Sequence, residues 1–89
     1  MLMEEQAEAL KQELANFITN INPDFTLEKD SDTSFSRLGL DSMSHVNMTR
    51  VIKETLGIDV EPDFAFNHPT INAITIQLNK LDEGAYAVV

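Results

Sequence analysis

Cysteine is absent from this sequence, and basic residues are scarce: six lysines and arginines accompany fifteen acidic residues. Without cysteine the chain has no disulfide, no cysteine-type zinc site and no thiol of its own, which suits the reducing cytoplasm where we expect it to act. The net charge of −9 argues against nucleic acid as a partner, because a phosphate backbone rewards clustered basic residues. An acidic domain instead favours basic partner surfaces.

Long apolar runs are also missing. No stretch is long enough to span a bilayer, and the first residues lack the basic region of a signal peptide, so we expect no membrane association. A chain of 89 residues makes one small domain, which needs a compact core because short chains bury only about 60% of their unfolded surface. We expect a folded core over residues 4–81 and a tail or the start of a linker over 82–89.

Apolar residues that recur at steps of three and four predict three substantial helices. The predicted helices span residues 4–21, about 42–56 and about 71–81. Gly57 is expected as a left-handed C-cap of the second helix, and Thr70 as the N-cap of the last. A short helical turn is expected after Pro62, with Phe64 and Phe66 as inward anchors. The predicted fold is therefore all-α, a small four-helix bundle with three main helices and one short one.

A long connection without periodicity is predicted between the first two main helices, over residues 22–41. Such a loop is uncommon in a compact domain and is usually functional. Its apolar residues are expected to pin it to the core; they are Phe25, Leu27, Phe35, Leu38 and Leu40.

The second main helix is expected to turn Met43, Val46, Val51 and Ile52 inward, with Leu56 closing this apolar face. His45 is expected on the solvated surface of the same helix. Met48 suits an exposed contact and a core position about equally. His68 is expected in the turn before the last helix.

Enzymatic and metal-binding interpretations fit poorly. Ser42, His45 and His68 are residue types of a hydrolytic triad, but no glycine-flanked nucleophile turn accompanies them and a bundle this small has little room for a cleft. An acidic run before Phe35 resembles the front of a calcium loop, yet Phe35 stands where that loop needs glycine and Asp41 stands where it needs glutamate. The two histidines lack a zinc spacing.

Ser42 lies where the long loop ends and the second main helix begins, and two interpretations of it compete. In one, Asp41 or Ser42 is only an N-cap that accepts a backbone hydrogen bond. In the other, the Ser42 hydroxyl is modified with a phosphate-bearing group, whose negative charge the start of a helix favours.

Two motifs resemble those of a known family. Residues 38–43 read Leu-Gly-Leu-Asp-Ser-Met, which resembles the phosphopantetheine attachment motif of acyl carrier proteins, Leu-Gly-x-Asp-Ser followed by an apolar residue. Residues 66–71 read Phe-Asn-His-Pro-Thr-Ile, which is similar to the Phe-x-His-Pro-Thr segment of carrier domains in modular polyketide synthases. The two motifs stand at the family's usual separation and together favour modification of Ser42.

The resemblance implies a non-catalytic acyl carrier domain that holds polyketide intermediates as thioesters. Ser42 would accept 4′-phosphopantetheine from coenzyme A, in a magnesium-dependent reaction run by a separate phosphopantetheinyl transferase. Asp41 would cap the helix and assist the transferase, and Leu40 and Met43 would make apolar contacts beside the arm. The cofactor would thus supply the thiol that the chain lacks.

The resemblance also implies that the helix after Ser42 is the docking face for ketosynthase, acyltransferase and processing enzymes. Residues 42–57 are the least acidic part of the chain, with two basic residues against one glutamate. The candidate docking residues are Ser44, His45, Asn47, Met48, Arg50 and Lys53. The isolated domain is expected to be monomeric.

Two alternatives stay open. A free-standing fatty-acid carrier usually has a strongly acidic second helix, whereas this one is nearly balanced. The other alternative is an unmodified helical interaction module, in which Met43, His45 and Met48 form a binding patch.

Overall fold

The computed structural model describes residues 2–88, with side chains described for residues 2–81. Within this range the chain forms helices only, with no strand. The helices are α1 (Glu4–Ile21), α2 (Leu27–Asp30), α3 (Ser42–Leu56), α4 (Phe64–Asn67) and α5 (Ile71–Val88). The predicted all-α fold with three main helices is confirmed, and α1 and α3 have their predicted bounds.

The first helix, α1, provides one wall of the core. Its buried side chains include Leu10, Leu14 and Ile18, which recur at steps of four and so lie on one face. The backbone N–H of Asn22 donates to the carbonyl of Ile18 (2.8 Å) as the helix ends, because the residue before a proline is pushed out of helical geometry. Through this face α1 packs mainly on α3 and also on α5.

The loop between α1 and α3 contains a short helix, α2, that was not predicted. Its four residues are too few to show an apolar period, although Thr26 gave a local signal: the Thr26 hydroxyl caps the helix by accepting from the backbone N–H of Lys29 (3.2 Å). The expected anchoring of the loop is confirmed. Phe25, Phe35, Leu38 and Leu40 are buried and Leu27 is half-buried against the core.

Hydrogen bonds fasten the same loop to the start of α5. The backbone N–H of Phe35 donates to the Pro69 carbonyl (2.9 Å), and that of Asn72 donates to the Ser31 carbonyl (3.1 Å). The side-chain amide of Asn72 also donates to the carboxylate of Asp32 (2.8 Å). The loop is therefore an ordered part of the bundle.

The inward face of α3 differs from the prediction. His45, Met48 and Ile52 are its buried residues, whereas Met43 and Val46, expected inside, are 73% and 43% exposed. His45, Met48 and Ile52 follow one another at steps of three and four, so they form a single buried stripe along the helix. The expected Gly57 C-cap is confirmed, with a left-handed φ of +72°.

The single turn of α4 buries one of its two phenylalanines. Phe64 is buried as expected, but Phe66 is 48% exposed, so its prediction as an inward anchor is wrong. Residues two positions apart lie about 200° apart around a helix, and a helix packed on one side cannot bury both. His68 lies in the turn that ends α4, as expected.

The last helix, α5, begins at the predicted cap. The Thr70 hydroxyl accepts from the backbone N–H of Ala73 (3.0 Å), and Ile71, Ile74 and Leu78 are fully buried. The helical backbone continues to Val88, past the expected end at 81. The side chains of 82–88 and all of residue 89 lie outside the described residues, so a tail or linker there stays a prediction. None of the described helices has both the length and the apolar character to cross a membrane.

Candidate functional site

Ser42 is the first residue of α3, and its side chain is exposed. The preceding residue, Asp41, is the N-cap: its Oδ1 atom accepts a hydrogen bond from the backbone N–H of Ser44 (2.8 Å). This hydrogen bond, with a further one to the Ser44 side chain, holds the pKa of the Asp41 carboxyl below its ordinary value. Asp41 therefore keeps a negative charge beside the serine at neutral pH.

The chain reaches Ser42 through a sharp turn at Gly39. Gly39 has a φ of +92°, a left-handed conformation that glycine adopts without the strain of a side chain. Leu38 and Leu40 are buried on either side of it, and the backbone N–H of Leu40 donates to the Phe35 carbonyl (3.0 Å). The turn thus anchors the loop immediately before the exposed serine.

The start of α3 leaves backbone donors for an anion. A helix has no internal acceptors for its first N–H groups. Asp41 satisfies the N–H of Ser44, whereas those of Ser42 and Met43 have no hydrogen-bond partner within the described part of the chain. Together with the positive end of the helix dipole, these N–H groups favour a phosphate ester at this position.

His45 lies one turn after Ser42 and is only 3% exposed. Its Nδ1 atom is 2.7 Å from the backbone carbonyl oxygen of Asp41. Its ring stacks on Phe66, with centroids 4.3 Å apart, and meets the ring of Phe35 edge-on at 5.9 Å. The expectation of a solvated His45 is therefore wrong, because two aromatic rings and a carbonyl hydrogen bond replace water around the imidazole.

The apolar residues beside Ser42 divide between the core and the surface. Leu40 is buried, and Met43 is 73% exposed. Val46, one turn beyond Met43, and Phe66 of α4 are also exposed. Periodicity wrongly placed Met43 and Val46 in the core, whereas the family resemblance had implied an apolar contact from Met43 beside the serine. The exposure of Val46 was missed.

The candidate docking residues differ in their exposure. Arg50 and Lys53 are exposed, and Ser44 and Asn47 are half-buried. The ammonium group of Lys53 pairs with the Asp59 carboxylate (2.7 Å), so Arg50 is the more available cation. Their role in docking stays a prediction.

The two remaining docking candidates, His45 and Met48, are buried and could not contact a partner directly in this conformation. The spacing of the α3 stripe was the signal that could have placed them inside: a step of three joins His45 to Met48, and a step of four joins Met48 to Ile52. Periodicity based on apolar residues alone omitted the histidine.

Comparison with known proteins places this geometry in a family context. Residues 9–78 match the family model described as a phosphopantetheine attachment site.

The chain is 35% identical over 60 residues to polyketide synthase ThaG of Burkholderia thailandensis, covering 66% of this chain and 1% of that protein. It is 34% identical over 53 residues to a phenolphthiocerol/phthiocerol polyketide synthase of Mycobacterium tuberculosis, covering 60% of this chain and 3% of that protein. It is also 33% identical over 61 residues to the mycoketide-CoA synthase of the same organism, covering 68% of this chain and 1% of that protein. The chain thus spans only a small fraction of each of these relatives.

Proposed function

The chain belongs to the family of phosphopantetheine attachment domains, whose prosthetic group is 4′-phosphopantetheine, and on that premise we propose that it is an acyl carrier domain of a polyketide synthase, modified on Ser42. The observation that carries this proposal is the exposed hydroxyl of Ser42 at the first residue of α3. A hydroxyl in this position is open to an incoming transferase, and the product phosphodiester is favoured by the start of the helix.

The proposed modification is a phosphoryl-group transfer. The Oγ atom of Ser42 attacks the phosphorus of coenzyme A that bears the pantetheine, forming a new O–P bond. The pyrophosphate P–O bond breaks, 3′,5′-ADP leaves, and the proton of the hydroxyl passes to a base of the phosphopantetheinyl transferase, which uses magnesium. The attached group then supplies a thiol that holds acyl chains as thioesters.

The residues around Ser42 have separate roles in this proposal. Asp41 caps α3 and presents its carboxylate to the transferase. Leu40 anchors the loop below the serine, while Met43 offers an apolar contact beside the arm. Arg50 and the neighbouring polar residues of α3 form the docking face for the transferase, ketosynthase, acyltransferase and processing enzymes.

The polyketide assignment rests on three observations. The curated relatives are polyketide and mycoketide synthases, residues 66–71 resemble a segment of modular synthase carriers, and α3 is nearly balanced in charge. A free-standing fatty-acid carrier is the alternative within the family. The two are distinguished by the coding sequence around this chain: a synthase carrier is part of a long polypeptide with ketosynthase and acyltransferase domains.

Mass measurement tests the modification. The chain is incubated with coenzyme A, magnesium and a broad-specificity phosphopantetheinyl transferase, and we expect a mass increase of one phosphopantetheine. Ser42→Ala must abolish the increase while keeping the helical circular dichroism signal, because the cap belongs to Asp41. Ser36→Ala is the matched control, since Ser36 is another exposed serine of the preceding loop, and it must be modified at the normal rate. A modification that survives in Ser42→Ala would contradict the proposal.

The second candidate is a helical interaction module that needs no cofactor. Of its expected patch, His45 and Met48 are buried and Met43 is exposed. The exposed apolar side chains of Val46 and Phe66 are what still favour it. A pull-down of synthase enzymes with the unmodified and the modified chain separates the two. Equal capture by both forms would favour the interaction module, whereas capture that depends on the attached arm favours the carrier.

A further inference from the structure

The carbonyl oxygen of Asp41 accepts hydrogen bonds from two groups of the same residue. The backbone N–H of His45 donates to it at 3.1 Å, as expected in a helix. The Nδ1 atom of the His45 ring lies 2.7 Å from it. Because a carbonyl oxygen can only accept, Nδ1 carries the hydrogen in this arrangement.

The imidazole that makes this second hydrogen bond is held in place from other parts of the chain. The Phe66 ring of α4 stacks on it nearly parallel, at 6°, and the Phe35 ring from the α1–α3 loop meets it at 82°. Phe35 is itself fully buried. The orientation of the ring is therefore set by packing, and the ring in turn restrains the Asp41 carbonyl.

The restrained carbonyl belongs to the peptide unit that joins Asp41 to Ser42. A peptide unit is planar, so fixing the direction of its carbonyl also fixes the plane in which the Ser42 nitrogen lies. Only the Ser42 dihedral angles then remain to direct its hydroxyl. A rigid support of this kind is what a nucleophile needs when another protein must align it with a phosphorus atom.

We propose that His45 is a positioning residue for the modification of Ser42, acting through the Nδ1–H hydrogen bond to the Asp41 carbonyl. The inference rests on the proposed carrier function, and it gives a role to a residue that the sequence suggested only for partner docking. His45 touches neither the reacting atoms nor the surface. Its contribution is to keep the Asp41–Ser42 peptide unit in one orientation while the transferase acts.

Three variants separate the hydrogen bond from the packing. His45→Phe keeps an aromatic ring between Phe35 and Phe66 but has no donor. His45→Asn places an amide N–H close to the position of Nδ1 but loses the ring. Thr70→Ala is the matched control, because it removes the capping hydrogen bond at the start of α5 and leaves the His45 ring, its aromatic neighbours and Ser42 unchanged.

The measurement is the rate of phosphopantetheine transfer to each variant over a range of carrier concentrations, with thermal unfolding giving the folded fraction. For His45→Phe we expect kcat to fall by about tenfold with KM unchanged, which is the factor expected for one hydrogen bond that aligns the nucleophile. His45→Asn should recover most of this loss although it unfolds at a lower temperature. Thr70→Ala, corrected for its folded fraction, should stay close to the wild-type rate.

A role in packing alone predicts the opposite order, with His45→Phe normal and His45→Asn impaired in proportion to its lost stability, and that result would overturn the inference. A proton on Nε2 and none on Nδ1, in the nitrogen-15 spectrum of the wild-type ring at neutral pH, would also overturn it. These failures differ from failure of the carrier function, which would appear as an absence of transfer to the wild-type chain and would remove the inference with it.

Discussion

Helices α3 and α5 begin with the same capping geometry. In α3 the Asp41 carboxylate accepts from the backbone N–H three residues later (2.8 Å), and in α5 the Thr70 hydroxyl does the same (3.0 Å). The next residue differs: Ser42 is exposed, whereas Ile71 is fully buried. One helix start faces solvent and the other faces the core.

The two starts show that capping a helix and exposing a reactive side chain are separate properties. Both caps satisfy a backbone donor and fix where a helix starts, so capping alone gives no chemistry to either position. The start of α5 is covered by the α1–α3 loop, through the bonds of Pro69 and Asn72. The start of α3 has only the Gly39 turn before it, and its hydroxyl stays accessible.

The largest expected difference between the two helix starts is in how much their apolar residues contribute to the free energy of unfolding. Ile71→Ala should lower the free energy of unfolding by about 2–5 kcal/mol, because it leaves a cavity in the core. Met43→Ala should change it by less than about 0.5 kcal/mol, because Met43 lies at the surface. Urea unfolding followed by circular dichroism measures both. Similar losses for the two variants would contradict the assignment of one start to the core and the other to solvent.

Removal of the α5 cap should have the next largest effect on the free energy of unfolding. Thr70→Ala removes the acceptor for the Ala73 N–H and should cost about 0.5–2 kcal/mol of stability. The rate of phosphopantetheine transfer to Ser42, corrected for folded fraction, should not change. A reduced corrected rate would mean that the two helix starts are coupled.

The turn before Ser42 should have a smaller effect on stability. Gly39→Ala forces a side chain into a left-handed conformation, which costs about 1 kcal/mol. No atom would clash with the new Cβ, so the cost is conformational only. Ser36→Ala, in the same loop, is the control for unfolding measurements. An unchanged unfolding midpoint in Gly39→Ala would show that this turn is free to rearrange.

The smallest effect on stability is expected at the charge of the α3 cap. Asp41→Asn keeps a capping oxygen, so at neutral pH it should lose only the interaction of the carboxylate with the start of the helix. Because folding lowers the pKa of Asp41 from 3.8, its stabilisation is present above that value and is lost as pH falls through the lower, folded pKa.

The difference in stability between wild type and Asp41→Asn should therefore shrink as pH drops below about 4. Comparing the two proteins at each pH cancels the titration of the other carboxyl groups. A difference that stays constant with pH would show that the Asp41 charge contributes nothing to the cap. The transfer assay adds a functional comparison, because the proposed role of the carboxylate predicts slower modification of Asp41→Asn even where its stability matches.

Local signals in the sequence predicted most of the architecture. Gly57, Thr70 and the residue before Pro23 mark helix ends through backbone rules that need no tertiary information. The short helix α2 was not predicted because four residues are too few to show an apolar periodicity. Its capping residue, Thr26, was the only available sign.

The hydrophobicity of its residues could not predict which face of α3 is buried. Met43 and Val46 are more apolar than His45, and a polar ring is normally assigned to the surface. Tertiary contacts make His45 the buried residue instead: the Asp41 carbonyl accepts a hydrogen bond from the imidazole, and the Phe66 ring stacks on it. The exposed position of Ser42, in contrast, followed from its motif, although only the folded chain shows that the hydroxyl is accessible.

The bonds that tie the α1–α3 loop to α5 have a consequence for how the chain folds. Helical bundles fold fast when most of their contacts are local. Here Asp32 bonds to Asn72, 40 positions away, and the Leu2 backbone bonds to the Asn79 side chain, 77 positions away. Such contacts form only after the intervening chain has ordered. The start of α5 must therefore have been synthesised before the loop that precedes Ser42 can reach its final place.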